Sequence, residues 1–216
     1  MITVNRYSIR RAQKEDYSNL ITHAVGGLAL GRRELRIAGF GGQGVVLAGH
    51  IIGQAASVYD KGFATFSQNY GPEARGGSCT AEVVISDEPI GYPYLNTPQV
   101  LVILSQEAFT KYGRDVPPGT QVIIDPDLVK TDALQHSRFL TIPANRMARE
   151  MGRVAVANTI LLGFLASVSD LVSPEALRKS ILASAPKGTG ELNMKAFELG
   201  YSYGIEHAKR SEKSSG

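Results

Sequence analysis

Four glycines within six residues mark the part of the sequence best suited to binding a charged ligand. Gly39, Gly41, Gly42 and Gly44 follow a short apolar segment and precede an apolar pattern of helical period. Glycine permits positive φ and close approach of a ligand to the backbone, and a helix N-terminus presents unpaired N–H groups with a partial positive charge. The pattern therefore predicts a strand, a tight turn and a helix, with a turn suited to a phosphate or pyrophosphate.

The spacing of these glycines also fits the GxGxxG fingerprint of dinucleotide-binding proteins. That fingerprint requires an acidic residue at the end of the second strand, where it binds a ribose hydroxyl. Asp60 lies at about the right separation, but it comes before the predicted second strand, and the uncharged Gln68 and Asn69 stand where that strand ends. An NAD site is therefore disfavoured but left open, as is a purely structural role of the glycines in packing the strand on the helix.

Elsewhere in the sequence, apolar runs suggest strands that alternate with helices. Strands are predicted at Glu34–Gly39, Phe63–Ser67, Ser78–Ser86, Gln99–Leu104, Gln121–Asp125 and Phe139–Pro143. Helices are predicted at Gly44–Asp60, Ser105–Tyr112, Asn145–Met151, Arg153–Ser167, from Ser173 onward and at Leu192–Lys209. This order predicts an α/β fold: a single Rossmann-like domain with a mostly parallel sheet and helices on both faces.

Charge and composition divide the 216 residues into three parts. Residues 1–33 form a basic extension or linker of net charge +4, residues 34–209 form the domain, and residues 210–216 form a polar tail. The total charge is +3, so the domain is nearly neutral and binding to nucleic acid is not expected. We find neither an apolar run long enough to span a membrane nor a secretory signal, and we therefore expect a cytoplasmic protein without membrane contact.

Residues that could bind metal are few. Cys79 is the only cysteine, so this chain alone cannot form an intramolecular disulfide or an all-cysteine Fe–S cluster. The four histidines are scattered without the spacing of metal ligands: His23, His50, His136 and His207. The sequence therefore predicts no metal site and identifies no catalytic residue.

A second unusual loop follows the second predicted strand. It combines turn-forming glycines and a proline with an aromatic ring and two charges: Tyr70, Gly71, Pro72, Glu73, Arg75, Gly76 and Gly77. Loops at the carboxyl ends of strands commonly carry binding residues on α/β scaffolds. This loop is therefore predicted to bind a ligand or a partner.

Together the two loops resemble those of the gamma subunit of 2-oxoacid:ferredoxin oxidoreductases. The resemblance is carried by GFGGQG at 39–44, NYGPEARGG at 69–77 and VISDEPI at 84–90, with weaker support from LSQEA at 104–108 and RVAVAN at 153–158. It covers about residues 34–205, the pyruvate/ketoisovalerate oxidoreductase gamma-type domain. The YGPEARGG form is most similar to that of 2-oxoglutarate enzymes.

The resemblance implies a subunit that is inactive alone. Such enzymes convert a 2-oxoacid and coenzyme A (CoA) to an acyl-CoA and CO2, and they pass electrons to ferredoxin. Thiamine diphosphate, Mg²⁺ and Fe–S clusters are then expected on partner subunits, and CoA is a shared substrate. The expected partners are alpha and beta subunits, together with a possible ferredoxin-like delta subunit.

The resemblance also suggests roles for individual residues. The turn from Gly39 to Gly44 corresponds to a loop that helps to hold CoA, and backbone N–H groups there could bind a CoA phosphate. The Gln43 amide could donate to CoA, and Arg75 could form a charge-assisted pair with a phosphate. Glu73 could instead fix Arg75 or contact a subunit. Asn158 interrupts an apolar helix and needs a polar partner, either at a subunit interface or inside the domain. The remaining alternatives are a stand-alone NAD or nucleotide module and a purely structural interaction subunit.

Overall fold

The domain is built around a six-stranded sheet, seen in a computed structural model that describes residues 31–71, 76–131 and 139–214. The strands are β1 (Arg33–Phe40), β2 (Phe63–Tyr70), β3 (Ser78–Ser86), β4 (Val100–Ile103), β5 (Gln121–Ile124) and β6 (Leu140–Thr141). Their order across the sheet is β2-β3-β1-β4-β5-β6. Only β3 runs against its neighbours, pairing antiparallel with both β1 and β2, whereas β1, β4, β5 and β6 pair in parallel. The predicted mostly parallel sheet is confirmed.

The β2–β3 hairpin differs from the prediction. β2 continues to Tyr70 rather than ending near Ser67, because its polar second half pairs with β3 in a register that joins Tyr70 to Cys79. Tyr70, which the sequence analysis placed in the second loop, therefore belongs to the strand. β3 itself has the predicted limits, Ser78–Ser86.

Helices cover both faces of the sheet. They are α1 (Val45–Gln54), α2 (Gln106–Ala108), α3 (Ala144–Glu150), α4 (Ala157–Val168), α5 (Pro174–Ser184) and α6 (Gly190–Ser214). α1 and α2 each pass into a π-helical segment, Ala55–Tyr59 and Phe109–Gly113, and a 3₁₀ turn, Val154–Val156, precedes α4. No helix in the described part of the chain is long and apolar enough to cross a membrane. Helix positions agree with the predictions, but α6 continues to Ser214, through most of the predicted polar tail.

The two faces of the sheet have separate apolar cores. Leu35 and Ile37 of β1 lie in the larger core with α1 and α3 to α6. Ala38 lies in the smaller core with Phe109, beside α2. Alternate residues of a strand point to opposite faces, so the almost continuous apolar runs of β4 and β5 fill both cores. The sequence and structure therefore agree on a single α/β domain with helices on both faces.

α4 and α6 are joined by an unusually close glycine contact. A Cβ on Gly200 of α6 would overlap the carbonyl oxygen of Ile160 and lie 2.8 Å from its carbonyl carbon. A Cβ on Gly163 of α4 would likewise overlap the carbonyl oxygen of Phe197. The two backbones therefore touch directly, and α6 fixes the position of α4 against the larger core.

Candidate functional site

The Gly-rich turn connects the end of β1 to the start of α1. Gly42 and Gly44 have φ values of +94° and +75°, in the region that favours glycine. Gly44 is the N-cap of α1 and provides no side chain to cap it. The N–H groups of Gly42, Gly44 and the first turn Val45–Leu47 have no hydrogen-bond partner in the described ranges. The turn therefore presents a group of free backbone donors at the positive end of a helix.

The side chain of Gln43 braces this turn. Its Oε1 accepts a hydrogen bond from the N–H of Phe40 at 2.6 Å, and its Nε2 donates to the carbonyl of Leu104 at 2.7 Å. The amide thus ties the carboxyl end of β1 to that of β4. A Cβ on Gly39 would lie 2.5 Å from Gln43 Oε1, so glycine at 39 leaves room for the brace. One amide hydrogen of Gln43 remains for the predicted contact with CoA.

The two loops singled out in the sequence meet in the structure. The N–H of Gly41 donates to the carbonyl of Gly77 at 2.9 Å, and Gly41 packs against Gly76, which has a φ of +70°. Gly71 N–H donates to the carbonyl of Ser78 and closes the β2–β3 hairpin. This contact follows from the β1–β3 pairing, which places Phe40 beside Ser78. Pro72, Glu73 and Arg75 lie outside the described residues.

Asn158, proposed from the sequence as an interface residue or an internally bonded one, packs against the turn at Gly44. Its Cβ, Nδ2 and Cγ are 2.9–3.0 Å from the place that a Cβ on Gly44 would take. The residue is only 8% exposed. Sequence reasoning identified Asn158 as an unusual residue of an apolar helix, but no local signal pairs it with a glycine 114 positions earlier.

A shallow pocket of about 100 Å³ opens beside the turn, at the carboxyl ends of β1 and β2. Its lining includes Gly39, Tyr70, Cys79, Lys111 and Tyr112. Tyr70 is 63% exposed, and Lys111 Nζ lies 5.0 Å from the centre of the Tyr112 ring. Burial raises the pKa of the Cys79 thiol, so it remains protonated at neutral pH and is a poor nucleophile. Within the described ranges, no cluster of His, Cys, Asp or Glu could hold a metal ion.

The NAD alternative gains no support from the geometry. β3 lies between β1 and β2, so the end of β2 is not next to the Gly-rich turn as the dinucleotide fingerprint requires. The carboxylate of Asp60 accepts hydrogen bonds from the backbone N–H and the hydroxyl of Ser173, at 2.7 and 2.6 Å. Asp60 therefore anchors the start of α5.

The fold and the turn place the chain among α/β proteins with a Gly-rich turn of free N–H groups at the carboxyl end of the first strand. The family model described as pyruvate ferredoxin/flavodoxin oxidoreductase matches residues 34–203. The chain belongs to this family, and it is a gamma-type subunit of a 2-oxoacid:ferredoxin oxidoreductase, part of an oxidoreductase complex. The resemblance stated from the sequence is confirmed.

Individual relatives agree with this assignment. The 2-oxoglutarate synthase subunit KorC of Methanocaldococcus jannaschii is 49% identical over 173 residues, which are 79% of this chain and 92% of the relative. The solved gamma subunit of a keto/oxoacid ferredoxin oxidoreductase from Geobacter sulfurreducens is 38% identical, with a TM-score of 0.71, and the match covers 82% of this chain and 98% of that one. A 2-oxoglutarate:ferredoxin oxidoreductase from Magnetococcus marinus shares the fold at 22% identity and a TM-score of 0.72. That match covers 82% of this chain but only 31% of the longer Magnetococcus chain.

Proposed function

We propose that this gamma subunit works in a 2-oxoglutarate:ferredoxin oxidoreductase, where it helps to bind CoA through the Gly-rich turn and assembles with alpha and beta subunits. The observation that carries the CoA role is the group of unpartnered N–H groups at Gly42, Gly44 and Val45–Leu47. The choice of 2-oxoglutarate is supported by the name of the 49% identical relative and by the YGPEARGG sequence of the second loop.

The chemistry of CoA suits this turn. CoA carries a pyrophosphate and a 3′-phosphate, and a helix N-terminus with free N–H groups favours such anions. The described residues include no metal cluster and no activated nucleophile. The proposed role of the subunit is to hold and orient CoA. Thiamine diphosphate on a partner subunit would supply the carbanion chemistry by which the 2-oxoacid loses CO2, and the two electrons released would pass to ferredoxin.

A structural role for the turn is the second candidate. Three of its glycines already have packing reasons: Gly39 admits Gln43, Gly41 contacts Gly76 and Gly44 contacts Asn158. Gly42 has no packing reason among the described residues, since nothing there lies within 4 Å of the position of its Cβ, and its φ of +94° is its one structural reason for being glycine. Among the described residues, the free N–H groups likewise form no hydrogen bond that a structural role would require. We therefore favour the binding role.

The isolated chain is expected to show no oxidation of any 2-oxoacid, because it has one buried cysteine and no recognisable thiamine diphosphate motif. The assay adds thiamine diphosphate, Mg²⁺, CoA and ferredoxin to the purified chain and follows ferredoxin reduction. The assembled complex under the same conditions is the positive control. Turnover by the chain alone would contradict the assignment of the reaction to partner subunits.

Arg75 remains predicted to contact a CoA phosphate or a carboxylate of a neighbouring subunit. Arg75→Ala is expected to cost about 1.5–3 kcal/mol in CoA binding or in assembly, the range for hydrogen bonds to charged groups. Arg75→Lys should recover little of this if the contact is bidentate, because an ammonium lacks the planar fork. CoA affinity and complex stability are measured for both variants. Parental values for both properties would show that Arg75 is a solvated loop residue.

A further inference from the structure

Asn158 is a mostly buried residue whose amide nitrogen the described part of the domain does not use. The residue is 8% exposed, in the first turn of α4. Its Oδ1 accepts a long hydrogen bond, 3.5 Å, from the hydroxyl of Thr159, which also donates to Asn193 Oδ1 at 2.9 Å. Its Nδ2 has no acceptor within the described ranges. The amide nitrogen is therefore a hydrogen-bond donor that the described part of the domain leaves unused.

The position of the amide indicates what it could bind. Nδ2 lies 2.9 Å from the point where a Cβ on Gly44 would be, at the N-terminus of α1. Because Gly44 has no side chain, nothing at that position covers the amide. Gly44 is also the N-cap of α1, where its own N–H and those of the first turn have no partner among the described residues. Donors from the N-terminal ends of two helices, α1 and α4, are therefore close together there.

We propose that Asn158 Nδ2 completes the anion site of the Gly-rich turn and donates a hydrogen bond to a phosphate oxygen of CoA. This inference rests on the proposed CoA role and adds a side-chain donor from α4 to it. A small ligand group fits the observations better than a partner protein, because 8% exposure leaves little of Asn158 for a protein surface to contact. A neutral amide can donate here, whereas a carboxylate at the same position would repel the phosphate.

The KM for CoA of the assembled complex tests the donor directly. Asn158→Ala is expected to raise it about 10-fold or more, the effect of losing a hydrogen bond to a charged group. Asn158→Asp should raise it further through repulsion. Asn193→Ala is the matched control, because the Asn193 amide already donates at 3.0 Å to the carbonyl of Thr189, the residue just before α6. The control is expected to lower stability while leaving the KM for CoA at the parental value.

A second measurement separates ligand binding from a structural role. Inorganic pyrophosphate is expected to raise the melting temperature of the full chain, and this rise should be absent in Asn158→Ala when each protein is compared with its own ligand-free state. If Asn158 had only a structural role, Asn158→Ala would lower the melting temperature of the ligand-free protein but would keep the rise caused by pyrophosphate. This readout remains usable if the variant assembles poorly.

The outcomes distinguish the two hypotheses. If the parent responds to pyrophosphate and both Asn158 variants respond equally, or retain the parental KM for CoA, the assignment of Asn158 is wrong and the CoA role stands. If the parent shows no pyrophosphate response and the KM for CoA is insensitive to a bulky residue at Gly44, the CoA role fails and this inference fails with it.

Discussion

Gly200→Ala is expected to lower the free energy of unfolding by about 3 kcal/mol, the upper part of the usual range for overpacking. The added Cβ would overlap the carbonyl oxygen of Ile160 and lie 3.0 Å from the backbone nitrogen of Phe164. Backbone atoms cannot rotate away as a side chain can, so α4 and α6 must separate. Urea unfolding of the full chain, followed by circular dichroism, measures the change.

Gly53→Ala is the matched control for this substitution. Gly53 also lies within a helix, but its Cβ would make only ordinary contacts, 3.8 Å from Phe66 Cβ and 4.0 Å from Val83 Cγ1. Alanine is a better helix former than glycine by about 1 kcal/mol, so this variant should be as stable as the parent or more stable. Equal stability of Gly200→Ala and Gly53→Ala would show that the close helix contact is absent.

Gly44→Leu is expected to raise the KM for CoA of the assembled complex about 100-fold, with the KM for the 2-oxoacid little changed. The side chain would collide with Asn158 and occupy a position with a φ of +75°. The turn would then shift, and losing two hydrogen bonds to a phosphate at about 1.5 kcal/mol each gives this factor. Steady-state kinetics with CoA as the varied substrate measures the effect.

A control must show that backbone strain alone does not cause the higher KM for CoA expected of Gly44→Leu. Gly119 has a φ of +85° with nothing within 4 Å of its Cβ, and it lies at the amino end of β5, at the opposite end of the sheet from the turn. Gly119→Leu introduces comparable strain there and should leave CoA kinetics unchanged. If Gly44→Leu assembles and keeps parental CoA kinetics, the turn has only a structural role.

Local patterns in the sequence predicted the elements more accurately than the contacts between them. The nine residues of β3 were predicted exactly as observed because small and β-branched residues alternate between clear turn signals. A helix was predicted from Ser173 onward, and the Ser173 hydroxyl caps α5 by accepting from Ala176 N–H at 3.1 Å. The end of β2 was missed because Gln68, Asn69 and Tyr70 belong to the sheet only through their pairing with β3.

In the candidate site, too, the local elements could be predicted from the sequence but the contacts between them could not. The Gly-rich turn was predicted from a strand, glycines and a helix that are adjacent in sequence. The meeting of Gly41 with Gly77 depends on the antiparallel β1–β3 pairing, and the contact between Gly44 and Asn158 depends on how α4 packs beside α1. Neither contact can be predicted from the residues near it in the sequence. The internal engagement of the Gln43 amide likewise depends on Leu104, 61 positions away.

The glycine contact between α4 and α6 also has a mechanical consequence. Side chains between two helices can change rotamer and absorb a displacement, but here Gly163 and Gly200 bring main chain against main chain. Contact between two main chains leaves little room for such adjustment, so we expect a displacement of the 25-residue α6 to be passed on to α4. Because Asn158 is in the first turn of α4, a push of a fraction of an ångström on α6 would change the gap between that amide and Gly44.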